Sequence, residues 1–143
     1  MRKTSEVYTG PNRKATMAFT CPHCHTPGTL RITHRLELPP DARSDEITLQ
    51  VIRCSHCRFE GIAVYEESRR GALDSESFSH TGYEAKDKAQ VSALKAAIRR
   101  CPARGDPRCT CAAHQTYGQH GTYGQWTGLD LFDLGPPFPM VRT

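Results

Sequence analysis

The sequence predicts a small α+β domain that cannot hold itself together on apolar packing alone. Two observations lead there. Apolar residues make up 37% of the 143 positions, with one Trp, and ten Pro and eleven Gly interrupt regular structure; the mean hydropathy is −0.59. Seven cysteines fall in two groups, and the segments between the first four alternate apolar and polar residues as strands do. Chains with so thin a core are commonly stabilised by metal or cross-links.

The first group is Cys21-Pro22-His23-Cys24 and Cys54-Ser55-His56-Cys57, with 29 residues between them. A CxxC turn aims two sulfurs at one point, and two such turns supply a tetrahedral four-thiolate zinc site. His23 and His56 sit mid-hook, where side chains point away from the metal; His25 and His34 read as structural or exposed. Leu30, Ile32, His34, Leu36 and Leu38 alternate with Arg31, Thr33, Arg35 and Glu37, which predicts a half-buried strand over Thr29–Leu38 with the first five on one face. Pro39-Pro40-Asp41-Ala42 breaks it. Ile47, Leu49 and Val51 predict a second strand running into the second hook, Arg58-Phe59-Glu60-Gly61 reads as a turn with Gly61 at positive φ, and Ile62–Tyr65 begins a third strand.

Hook, two strands, hook and third strand, over residues 19–66, resembles the zinc ribbon. The resemblance implies a three-stranded antiparallel sheet whose two turns are joined by zinc on Cys21, Cys24, Cys54 and Cys57. It implies no particular activity, since ribbons serve many roles.

Residues 67–114 extend this core. Ser68-Arg69-Arg70-Gly71 suggests a turn, Phe78 and Tyr83 are anchors, and a further hairpin is expected there. Asp87-Lys88-Ala89-Gln90 reads as a capping box opening a helix over 88–100, with Val91, Leu94 and Ile98 as its buried stripe, Arg99 and Arg100 at its negative end, and Pro102 ending it. Cys101, Cys109, Cys111 and His114 then fall within fourteen residues, a donor set for a second, Cys₃His zinc. A Cys109/Cys111 redox pair, buried unligated thiols, or a nucleophilic cysteine with His114 as base are the alternatives, and His120 is a reserve ligand. Neither HExxH nor the HxE…CxxC pattern of zinc deaminases is present.

Two arms flank this unit. Residues 1–18 are basic, with Arg2, Lys3, Arg13 and Lys14. Residues 115–143 read as a Gly/aromatic linker, in which Thr116-Tyr117-Gly118-Gln119 recurs as Thr122-Tyr123-Gly124-Gln125, followed by an apolar docking tail. Tyr117, Tyr123, Trp126, Leu129, Leu131 and Phe132 are its candidate partner-binding residues. Leu129-Asp130-Leu131-Phe132 resembles the bacterial sliding-clamp binding peptide, Gln-Leu-Ser/Asp-Leu-Phe, with Gly128 where that family places Gln. The resemblance implies docking on a sliding clamp.

The formal net charge of +4 weakens as evidence for an acidic partner once metal is counted. Seven thiolates and two Zn²⁺ bring it to roughly +1. No signal-peptide core or membrane-length apolar run is read, so an intracellular, cytoplasmic protein without a membrane partner is expected. Three functions compete. The first is a non-enzymatic adaptor or regulator docking on a larger protein or nucleoprotein complex. The second is a DNA- or RNA-binding ribbon using the amino-terminal arm with Arg31, Arg35, Arg53, Arg58, Arg99 and Arg100. The third is a thiol- or zinc-dependent enzyme at Cys101–His114.

Overall fold

The structure, a computed structural model, describes residues 18–69 and 77–143. Arg2, Lys3, Arg13 and Lys14 of the basic arm, and Arg70-Gly71 of the expected turn, lie outside these residues.

Six strands follow one another as antiparallel neighbours in chain order: β1 (Ala18–Phe19), β2 (Leu30–Leu38), β3 (Glu46–Cys54), β4 (Glu60–Ser68), β5 (Ser77–Ala85) and β6 (Leu134–Pro139). The hook–strand–strand–hook order is present, but the sheet has twice the strands of a three-stranded ribbon. The expected hairpin exists as β4–β5, from Gly61↔Glu84 to Ser68↔Ser77. β6 carries three prolines, which suppress any strand signal. An outer strand tolerates them because one side of its backbone needs no ladder donor.

The sheet curls until its ends meet. Phe19 bridges Arg142, Thr20 N–H donates to Val141 O at 3.0 Å, and Thr143 N–H donates to Ala18 O at 3.0 Å. Pairing the first strand with the last residues covers an edge that would otherwise template aggregation.

The outer face is covered by α1 (Lys88–Arg100), whose Val91, Leu94 and Ile98 pack on Leu36, Leu49, Val51 and Ile62. Asp87 caps the helix, its Oδ1 accepting Ala89 N–H at 2.9 Å. Gln90 has a different duty from the one a capping box gives it: its Oε1 accepts Asp133 N–H at 2.7 Å and ties the helix to the C-terminal segment.

Two sequence expectations change phase. A β-bulge between Ile32 and His34 shifts the β2–β3 register. Leu30 and Ile32 therefore lie on the inner face, with Ile52 and the first hooks, whereas Leu36 and Leu38 lie on the outer one. The five residues expected on one face are split, because one extra residue reverses every side chain after it. Arg35 and Glu37 consequently face inward. Gly61 is the second case. The glycines at positive φ among the described residues are Gly28 and Gly124. Gly61 is instead needed because a Cβ there would overlap Tyr83 O on the neighbouring strand.

The expected C-terminal arm is part of the domain. It forms α2 (Ala112–Tyr117), a 3₁₀ turn (Gly128–Leu131) and β6. Buried Trp126 donates its indole N–H to Tyr117 O and its backbone N–H to Asp41 Oδ2, both at 2.7 Å. Tyr117 stacks on Phe132 with centroids 5.8 Å apart. Leu129 and Phe132 pack against the outer core, leaving Leu131 and Tyr123 as the exposed members of the six expected docking residues. A β5 edge requiring a partner and a buried carboxylate at Asp41 draw this segment in.

Candidate metal centres

The first centre forms where two turns of the sheet converge. Cys21 and Cys24 follow β1, and Cys54 ends β3 with Cys57 three residues on. Cys21 Sγ lies 3.7 Å from Cys57 Sγ, and Cys24 Sγ lies 3.8 Å from Cys54 Sγ. Four sulfurs at a zinc–sulfur distance of about 2.3 Å in a tetrahedron stand about 3.8 Å apart, so the donors fit the ion. All four donor atoms fall within 4.8 Å of one another. Backbone N–H groups of His23, His56 and Phe59 point at Cys21, Cys54 and Cys57 at 3.4, 3.3 and 3.4 Å. Thr26 Oγ1 and Thr29 Oγ1 each stand 3.3 Å from a sulfur, Cys24 and Cys54 respectively. Such hydroxyls donate to thiolates and disperse their charge. His23, His25 and His56 are exposed and outside the donor set. His25 holds φ at 60° in the turn beyond the first hook.

The second centre lies against the outer side of the sheet. Cys101 follows α1, Cys109 and Cys111 come from the loop, and His114 sits on α2. Cys101 Sγ is 3.8 Å from Cys109 Sγ; His114 Nδ1 is 3.5 Å from Cys101 Sγ and 3.3 Å from Cys111 Sγ. The edges again match a tetrahedral site. The opposite ring nitrogen, Nε2, donates to Glu37 O on β2 at 2.9 Å, which fixes the tautomer leaving Nδ1 for metal. Glu37 N–H in turn accepts no metal duty but donates to Arg104 O at 2.9 Å, fastening the loop to the strand. His120 is not in the donor set; it bridges Trp126.

The thiols do not ionise alike. Burial pushes Cys21 up to about 12 and Cys101 up to about 11. Burial also opposes ionisation of Cys54, but hydrogen bonds from Thr29 and from the N–H groups of Cys57 and His56 outweigh it and bring that thiol to about 6. At Cys111 burial is outweighed by the His114 ring and N–H, again giving about 6. Each cluster thus combines sulfur ready to accept a cation with sulfur that must be driven to ionise by it.

All seven cysteines are described, and none is joined in a disulfide in the structure. The chain therefore carries two groups able to hold two zinc ions, Cys21/Cys24/Cys54/Cys57 and Cys101/Cys109/Cys111/His114. Sequence reasoning found all eight donors but missed Thr26, Thr29 and the Glu37 carbonyl; a Thr near a cysteine is too common to signal, and a carbonyl leaves no trace in side-chain chemistry.

The arginines are divided. Arg31, Arg53, Arg58, Arg99 and Arg100 are exposed. Arg35 is withdrawn into the curl of the sheet, where burial lowers its basicity and the Glu37 charge partly restores it. Among the described residues no helix is long and apolar enough to cross a membrane. Compared with known proteins, the chain matches no family model, no curated protein and no solved structure.

Proposed function

We propose that this is a non-enzymatic, zinc-built module that docks on nucleic acid, or on the nucleic-acid part of a nucleoprotein complex, through its basic outer face. The observation that carries the reading is a direct pairing of like charges. Arg31 and Arg53 are opposite one another on β2 and β3, and both are exposed; Glu60, opposite Arg53 on β4, is paired with Lys95. Opposed like charges weaken a sheet, and a phosphate between them relieves the repulsion. Arg99 and Arg104 extend the face, flanking His34, whose ring Nε2 is 3.2 Å from Arg99 Nη1. Lys95 is engaged with Glu60 at 2.5 Å and adds little. Both metal groups offer four protein donors, which supports a structural role for zinc over a catalytic one.

The test is fluorescence anisotropy of labelled single- and double-stranded DNA and RNA against the zinc-loaded chain. Affinity should fall steeply with salt. Arg31→Gln with Arg53→Gln should weaken binding about tenfold and lower the salt slope by about two. No retention of any of these at low salt overturns the reading.

A second reading, docking on a protein such as a sliding clamp, is favoured by exposed Leu131 beside exposed Asp130. It requires Leu129 and Phe132 to leave the outer core. Binding of the full chain to purified clamp, lost in Leu131→Ala, is its test.

A further inference from the structure

The curled sheet holds an open-mouthed cavity of about 690 Å³ on its inner face, lined by residues outside both sets of metal donors. Small-molecule sites commonly span roughly 300–1,000 Å³. Its walls are aromatic. His80 meets Phe19 and Tyr65 edge to face at centroid distances of 5.2 and 5.6 Å, and Tyr65 stacks on Phe78 at 6.1 Å. Phe78 is 72% exposed, a large ring left at the mouth.

The floor is polar and incompletely bonded. Gln50 is 5% exposed, and its Oε1 accepts His80 Nε2–H at 2.7 Å. The Gln50 amide hydrogens have no partner among the described residues, nor has His80 Nδ1. Buried polar groups are nearly always satisfied, so the unmet donor of buried Gln50, with the half-buried His80 acceptor beside it in one cavity, points to a ligand that satisfies both. Burial and then the nearby Arg35 and Arg142 hold the His80 ring down to about 4, which keeps Nδ1 an acceptor at neutral pH. Arg142 stands exposed in the lining and makes no ion pair among the described residues.

We infer that this cavity binds a flat heteroaromatic molecule bearing an anionic group, of the mononucleotide kind. The Gln50 amide donates to an acceptor on the ring edge, His80 Nδ1 accepts from a ring-edge N–H, the aromatic walls cover the ring face, and Arg142 meets the anion. The site faces away from Arg31 and Arg53 and does not depend on the outer face binding nucleic acid.

The test is calorimetric titration of the zinc-loaded full chain with AMP, GMP, CMP and UMP, their parent nucleosides, and ribose 5-phosphate. At least one nucleotide should bind with Kd below about 1 mM, and ribose 5-phosphate about tenfold more weakly or worse. Gln50→Leu should lose about tenfold. Arg142→Gln should weaken the nucleotide but not its nucleoside. If no nucleotide binds, if ribose 5-phosphate binds equally well, or if Gln50→Leu and Arg142→Gln bind as the parent does, the inference is overturned. Should Gln50→Leu fail to fold by circular dichroism, Arg142→Gln and Phe78→Ala, both at exposed positions, decide in its place.

Discussion

The first cysteine cluster draws its sulfurs from two turns of one sheet, whereas the second gathers its donors from a loop and a six-residue helix beside that sheet. Around the first lie Phe19, Leu30, Ile52 and Phe59, which pack on the hooks themselves. The second shares the larger outer core, of which Cys101 is a member with Cys109 and Cys111 packed against it, and its anchors to β2 are His114 on Glu37 O and Glu37 N–H on Arg104 O. The difference suggests a division of labour. A metal joining the turns of the sheet stabilises pairing over β1 to β4. A metal in the loop fixes what is attached to the sheet: α2 and, through Tyr117 and Trp126, the segment that returns as β6.

The largest expected effect breaks this comparison directly. Structural zinc contributes about 10 kcal/mol or more in small domains, comparable to their entire stability. Elemental analysis should find two zinc ions per chain. Cys54→Ser should retain at most one and lose cooperative unfolding in circular dichroism. Cys109→Ser should also retain one, but keep strand signal and a cooperative transition. Equal collapse of both variants would show that the clusters do not divide the fold as their positions imply.

Asp41 separates the second region from its metal. Its carboxylate accepts N–H from Arg43 at 2.8 Å, Ser44 at 2.7 Å and Trp126 at 2.7 Å. Burial alone would raise its pKa, yet these three bonds lower it. Asp41→Ala should cost about 2–3 kcal/mol and speed hydrogen exchange around Trp126, with both zinc ions retained. Loss of the second zinc in this variant would mean that loop and metal form one unit.

Acid provides a further test. His80 titrates at about 4, below its ordinary value, through burial and then the charges of Arg35 and Arg142. The unfolded chain therefore binds the proton more readily. The neutral ring's contribution is complete above about pH 6.5 and is lost as pH falls toward 4, by at most about 3 kcal/mol. Zinc thiolates are acid-labile in the same range, so the comparison is with His80→Gln. Its urea midpoint should fall less between pH 7 and pH 5 than the parent's, and equal slopes would remove His80 from the account.

Much of this was legible in the residues. The eight metal donors were readable because CxxC turns and a short Cys/His cluster impose chemistry at fixed spacing. Helix α1 was readable because Asp87 and the stripe of Val91, Leu94 and Ile98 are local signals. β6 was not readable, because Pro136, Pro137 and Pro139 are strand breakers in every setting except an outer strand. The burial of Trp126 was equally hidden, since its partner Asp41 lies 85 positions away.

By itself, then, the sequence determined where metal can be held and which helix packs on the sheet, because those depend on neighbours along the chain. Only the tertiary structure decided which way the side chains of β2 face. Alternation along β2 is unbroken in the sequence, and a single bulge after Ile32 reverses its phase, carrying Arg35 and Glu37 inside. A bulge is settled by pairing with β3 and by the curl of the whole sheet, so no reading of β2 alone contains it. The cavity over Gln50 and His80 follows from the same cause, as it exists only once six strands have curled far enough for Phe19 to meet Arg142.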